Sequence, residues 1–107
     1  MEFAGTLRER VMIERAGGAG DGAGGSETVW LPVARAWAAI AVERPGPGVE
    51  AERRSRRPRY AVTLRDREGV GLDCRIVCVR GALKVLGVTR DPLRPGTMEL
   101  AVEEMER

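Results

Sequence analysis

The sequence has 107 residues and a mass of 11.6 kDa, enough for one domain with its own core and no second one. Hydrophobic residues make up 43% and charged residues 32%, a globular composition, and there is no histidine. That removes the usual general base, the commonest metal ligand and every Ser-His or Cys-His pairing, so neither an enzyme nor a metal or cofactor site is expected.

The formal charge is +2, and its positive side is 17 arginines plus Lys84. Part of this excess reflects base composition, since Asn and Gln are absent beside 13 Ala and 14 Gly. The longest uncharged runs, Thr28 to Ala34 and Ala36 to Val42, are seven residues each, against roughly 18 for a membrane span, so no membrane contact is expected. The start, Met1-Glu2-Phe3-Ala4-Gly5, has no basic stretch followed by an apolar one, and the chain is expected to stay in the compartment where it is made. Cys74 and Cys78 are too few for a disulfide framework or a four-ligand zinc site. On one strand face they would stand about 13 Å apart, too far for a disulfide, so buried thiols are expected.

In Arg10-Val11-Met12-Ile13-Glu14-Arg15, Val11 and Ile13 alternate with Arg10, Met12 and Glu14, the period-two pattern of a half-buried strand. Residues 16–26 hold six glycines and one charge, Asp21, too little side chain to pack, and read as a loop. A phosphate-binding loop would end in Gly-Lys-Ser/Thr and open a helix; here Gly25-Ser26-Glu27 leads into strand-like Thr28-Val29-Trp30-Leu31. Residues 33–42 are apolar on both faces apart from Arg35, and their alanines suit a strand or a buried helix. A strand is favoured because Pro32 and Pro45-Gly46-Pro47-Gly48 bracket the run.

Residues 43–57 form a second long loop, with room for one short helix in its Val49 to Arg57 part. Alternation returns in Arg59 to Arg65, with Tyr60, Val62 and Leu64 on one side. After a turn at Asp66 to Gly69, Leu72, Cys74, Ile76 and Cys78 are expected to line one strand face, and Arg80-Gly81 to make a hairpin with the strand Ala82 to Thr89. The breaker-rich Asp91 to Gly96 precedes a last strand in which Met98, Leu100 and Val102 alternate with Glu99, Ala101 and Glu103. Trp30, Trp37 and Tyr60 fall on strand faces, where core packing is expected. The reading is all-β: a single domain, 1–107, built as a small antiparallel barrel, with a sandwich as the other architecture, and flexible loops at about 16–26 and 43–57.

Leu7-Arg8-Glu9-Arg10-Val11, Gly25-Ser26-Glu27-Thr28-Val29-Trp30 and Ala36-Trp37-Ala38-Ala39-Ile40 come before the middle loop. Tyr60 to Arg65, Asp73-Cys74-Arg75-Ile76, Gly81 and Val85-Leu86-Gly87-Val88, ending at Arg90-Asp91, follow it. In this order and spacing, over about Leu7 to Glu103, the chain resembles the head-tail adaptor, or head-closure (stopper), proteins of long-tailed bacteriophages and gene transfer agents. It departs from them in lacking Asn and Gln and in its glycine-rich first loop. The resemblance implies a virion structural protein at the head-tail interface, assembled in the bacterial cytoplasm. It implies a homo-oligomeric ring, a hexamer, with the adaptor and portal rings on the head side, the tail terminator on the tail side, and packaged double-stranded DNA passing through the channel. In that role the ring retains the DNA and docks the tail.

Two charged segments are the candidate contact residues. Between Glu43 and Arg67 eight arginines face four acids, a net of +4, with Arg53, Arg54, Arg56, Arg57 and Arg59 closest together. Such a loop suits DNA phosphates or the acidic surface of a partner, and protein contacts are preferred because a connector that releases DNA gains nothing from gripping it. The end of the chain carries Glu103, Glu104 and Glu106, an acidic tail placed to meet a neighbour's basic loop. The alternative function is a small nucleic-acid-binding β-barrel that uses the Arg53 to Arg59 cluster.

Overall fold

A computed structural model describes residues 8–17, 28–43 and 57–105. Most of both long loops, Arg53, Arg54, Arg56, Glu106 and the short helix expected in the middle loop lie outside the described residues. The described chain forms six strands: β1 (Glu9–Ala16), β2 (Trp30–Val42), β3 (Arg59–Arg65), β4 (Cys74–Cys78), β5 (Gly81–Thr89) and β6 (Thr97–Glu104). Every neighbouring pair is antiparallel, and the strands close into a barrel in the order β1-β2-β3-β6-β5-β4.

Alternation builds the wall. Val11 and Ile13 of β1, Val62 and Leu64 of β3, Cys74 and Ile76 of β4, Leu83 and Val85 of β5, and Met98, Leu100 and Val102 of β6 point inward and are fully buried. No polar or charged side chain is buried with them among the described residues. Each such aliphatic residue contributes about 1.5–3 kcal/mol relative to exposure, so the apolar interior carries the stability of the fold.

The alanine-rich run is a strand, and it passes through Pro32 instead of starting after it. Ile13 pairs with Ala34 but Glu14 with Pro32, so Val33 is an extra residue, a β-bulge. A bulge tolerates a residue without a backbone donor, which is how proline enters a long strand here. The strand continues because Ala36, Ala38 and Ile40 present an inward face between β1 and β3.

The expectation for Leu72 fails. β4 begins only at Cys74, and Leu72 sits in the preceding turn, 60% exposed. Both cysteines are free thiols, Cys74 buried and Cys78 half-buried against the core. The β4–β5 hairpin turns at Val79-Arg80, and Gly81 supplies the positive φ of 109° that a side chain would resist.

Because all ladders are antiparallel, the barrel has two distinct rims. The first holds the starts of β1, β3 and β5 and the ends of β2, β4 and β6; the chain leaves it at Glu43 and returns at Arg57. The second holds the opposite strand ends, together with the connections 66–73 and 90–96.

Candidate functional site

At the first rim, strand register converts distant charges into pairs. Arg59 opens β3 opposite Glu103 of β6, and its Nε donates to the Glu103 carboxylate at 3.3 Å. The next residue, Tyr60, donates its hydroxyl to Glu104 Oε2 at 3.0 Å. Arg80, in the β4–β5 turn, donates to both carboxylate oxygens of Glu9 at 2.9 Å and lies over the Tyr60 ring, 5.6 Å from its centre. The hydrogen bond to Glu104 is the main cause that raises the Tyr60 phenol above its ordinary pKa, followed by burial and the charge of Glu104, while Arg80 opposes them. Arg80 is raised too, chiefly by its bond to Glu9.

The expected contact residues therefore divide. Arg57 and Arg59 stand at the first rim, Arg59 paired within its own chain. Glu103 and Glu104 belong to β6 instead of a free tail, and both are engaged at the same rim.

At the second rim cations meet backbone carbonyls. Arg15 donates to the Gly69 carbonyl and stands 3.5 Å from the Asp73 carboxylate. Lys84 reaches across β4 to the Leu72 carbonyl at 2.6 Å. Arg90 bonds Asp66 at 2.6 Å and the Arg67 carbonyl at 3.3 Å. These contacts hold the 66–73 connection without regular structure. Leu72 and Leu93 stand exposed at this rim, Leu93 at 88%.

The outer wall carries two contrasting patches. On the β1–β2 seam Trp37 points outward, 50% exposed, which corrects the expectation that it packs in the core. Arg10, its pairing partner across the ladder, lies over its ring at 4.9 Å, and exposed Arg35 stands two residues away. Trp30 is likewise outside the core cluster: Arg75 covers it at 4.5 Å and is paired with Glu14 at 2.8 Å. Tyr60 alone of the three packs against the core.

Further round the wall, Ala41, Ala61, Ala101 and Gly87 form one row across β2, β3, β6 and β5. With so little side chain on that row, the surface dips into an open cleft of about 210 Å³, edged by Glu43, Thr89 and Glu99. Sequence reasoning missed both patches. Their signal was present in the alternation of β2, where an inward Ala36, Ala38 and Ile40 requires an outward Trp37, Ala39 and Ala41.

The profile of one protein family, described as phage head completion protein, matches residues 4–105. Among solved structures, a chain of the virion of a native gene transfer agent particle superposes with a TM-score of 0.70 at 17% identity, covering 92% of this chain and 94% of that one. The solution structure of protein SF1141 from Shigella flexneri 2a superposes with a TM-score of 0.71 at 19% identity, with 96% of each chain covered. No curated protein sequence matches the chain.

Proposed function

Since the chain belongs to the phage head completion protein family, we propose that it forms a ring of six beneath the portal and adaptor rings of a DNA-filled head, retains the packaged DNA and offers the docking surface for the tail terminator. The observation that carries this reading is the family match over residues 4–105, which takes in all six strands and both long loops. The particle is a phage or a gene transfer agent; the likeness to a chain of a gene transfer agent virion supports the second as much as the first.

In this reading Arg53, Arg54, Arg56 and Arg57, on the segment that leaves and rejoins the first rim, face the partner ring or the DNA. Glu103 and Glu104, at the end of β6 on the same rim, take the subunit boundary in this reading, and Glu106 follows two residues later in the sequence. The Arg59–Glu103 pair argues for protein contacts over a DNA grip, because it withdraws one cation from the cluster before any phosphate arrives.

Quantitative mass spectrometry of DNA-containing particles from the producing cell tests the reading. About six copies per particle are expected from this ring, together with tailless, DNA-losing heads when the protein is deleted. A chain found only free of particles, bound to nucleic acid in a salt-sensitive way, would replace this reading with a free-standing nucleic-acid-binding barrel.

A further inference from the structure

We infer that the two patches on the outer wall bind each other between copies: Trp37 of one subunit, flanked by Arg10 and Arg35, fills the small-residue cleft of the next, edged by Glu99 and Glu43. This rests on the ring reading above and assigns the faces that would build it.

The patches are complementary in shape. Trp37 is the one aromatic among the exposed large apolar side chains of the described residues, and the stacked Arg10 holds it in place. The cleft exists because Ala61 and Ala101 stand where larger residues would fill it. Tryptophan and arginine are the residue types that dominate binding energy at protein interfaces, and they act where a pocket excludes water around them.

They are also complementary in charge. Arg35 makes no ion pair among the described residues, and Glu14 on the same face is neutralised by Arg75 at 2.8 Å, which leaves the face cationic. Across the cleft Glu99 has no ion-pair partner among the described residues, and the depression on its second-rim side is lined by one further acid, Asp91, and one cation, Arg94. Opposed potentials of this kind fix orientation and reject the like-faced encounter, cation on cation or acid on acid.

Position gives a third argument. The β1–β2 seam and the β3–β6 seam are two strand steps apart in a closed barrel of six. With the barrel axis parallel to the ring axis, the two contact directions then diverge by about 120°, the angle at which head-to-tail contacts close six copies instead of running on as a filament. Arg10 lies one residue in from the first rim on β1 and Ala101 three residues in on β6, so the contacts meet at comparable heights and a flat ring follows.

The test keeps Trp37 and uses particles assembled with the full chain carrying Ala39→Cys, beside it on the outward face of β2, and Thr89→Cys, at the edge of the cleft, together, treated with a short bismaleimide and then denatured. A parallel wild-type sample reports any reaction of Cys74 and Cys78. A ladder of linked chains ending at the hexamer is expected from the double variant, and none from either single variant. Without the cysteine changes, and scored by particle assembly, Arg35→Glu or Glu99→Arg alone should lower ring occupancy about tenfold, as like charges brought together cost binding, and the two combined should restore it. Six copies per particle with no ladder and no charge-swap rescue would overturn this face assignment and leave the ring reading standing. A single copy per particle would overturn the ring itself.

Discussion

The two rims of the barrel use the same cations in different ways. At the first, arginines meet carboxylates on neighbouring strands: Arg59 with Glu103 and Arg80 with Glu9. At the second, Arg90 and Arg15 also meet carboxylates, of Asp66 and Asp73, but they and Lys84 reach in addition the main-chain carbonyls of Arg67, Gly69 and Leu72. Ion pairs between strand ends tie together elements whose positions the ladders already set, so they add little stability and respond to salt. Cations on carbonyls hold a connection that has no ladder of its own, so its shape depends on them. The first rim thus adds charge pairs to strand ends that the ladders already place, while the second uses its cations to shape a connection, beside which Leu72 and Leu93 stand exposed.

The largest test removes what both rims share. Leu100→Ala opens a cavity in the fully buried interior and should cost about 2–5 kcal/mol in a denaturant titration. Equal loosening at both rims is expected by hydrogen exchange; loosening of one rim alone would mean that the barrel is not one cooperative unit. Next comes Gly69→Val, at a φ of 88° and with the new Cβ 3.0 Å from an Arg15 guanidinium nitrogen. It should cost about 1–3 kcal/mol through backbone strain, with faster exchange confined to residues 66–73. Exchange that also rises at Arg59 or Glu103 would break the separation between the rims.

The first rim should respond less. Arg59→Met, which keeps the aliphatic stem, is expected to cost at most about 1 kcal/mol, less in high salt, because the pair is partly exposed. A larger loss that persists in high salt would show that this rim is as fixed as the other. The smallest effect concerns pH. The Tyr60 phenol is raised above its ordinary 10.0, so the folded chain holds that proton more tightly than the unfolded one. Its contribution is complete below pH 10 and is lost as pH rises through the raised value, and Tyr60→Phe should flatten that alkaline decline. An unchanged alkaline slope in the variant would remove the Tyr60–Glu104 bond from the account.

How legible each element was followed from its chemistry. Tyr60, Val62 and Leu64, and Met98, Leu100 and Val102, alternate with polar or small neighbours, so the inward faces of β3 and β6 could be read directly. β2 was ambiguous because alanine suits helix and strand alike and hardly distinguishes inside from outside. That same neutrality hid the outward Trp37 and the small-residue row. Leu72 misled because an alternating pattern was extended backwards across Asp73 into the turn that precedes β4. The rim pairs were out of reach for another reason. Arg59 and Glu103 are 44 residues apart and Arg80 and Glu9 are 71 apart, and only barrel closure brings them together.

Closure also decides how the wall carries load. A strand pulled at one point of the wall passes the force to both neighbours, and the closed circuit shares it around the hoop. Such a hoop fails at its shortest seam. β4 has five residues and is stitched on each side by four residue pairs, Met12 to Arg15 on β1 and Gly81 to Lys84 on β5. The long ladders of β2 and β3 share stress over more bonds. A barrel built this way has its two weakest seams side by side, so that β4 is the stave at which it would part.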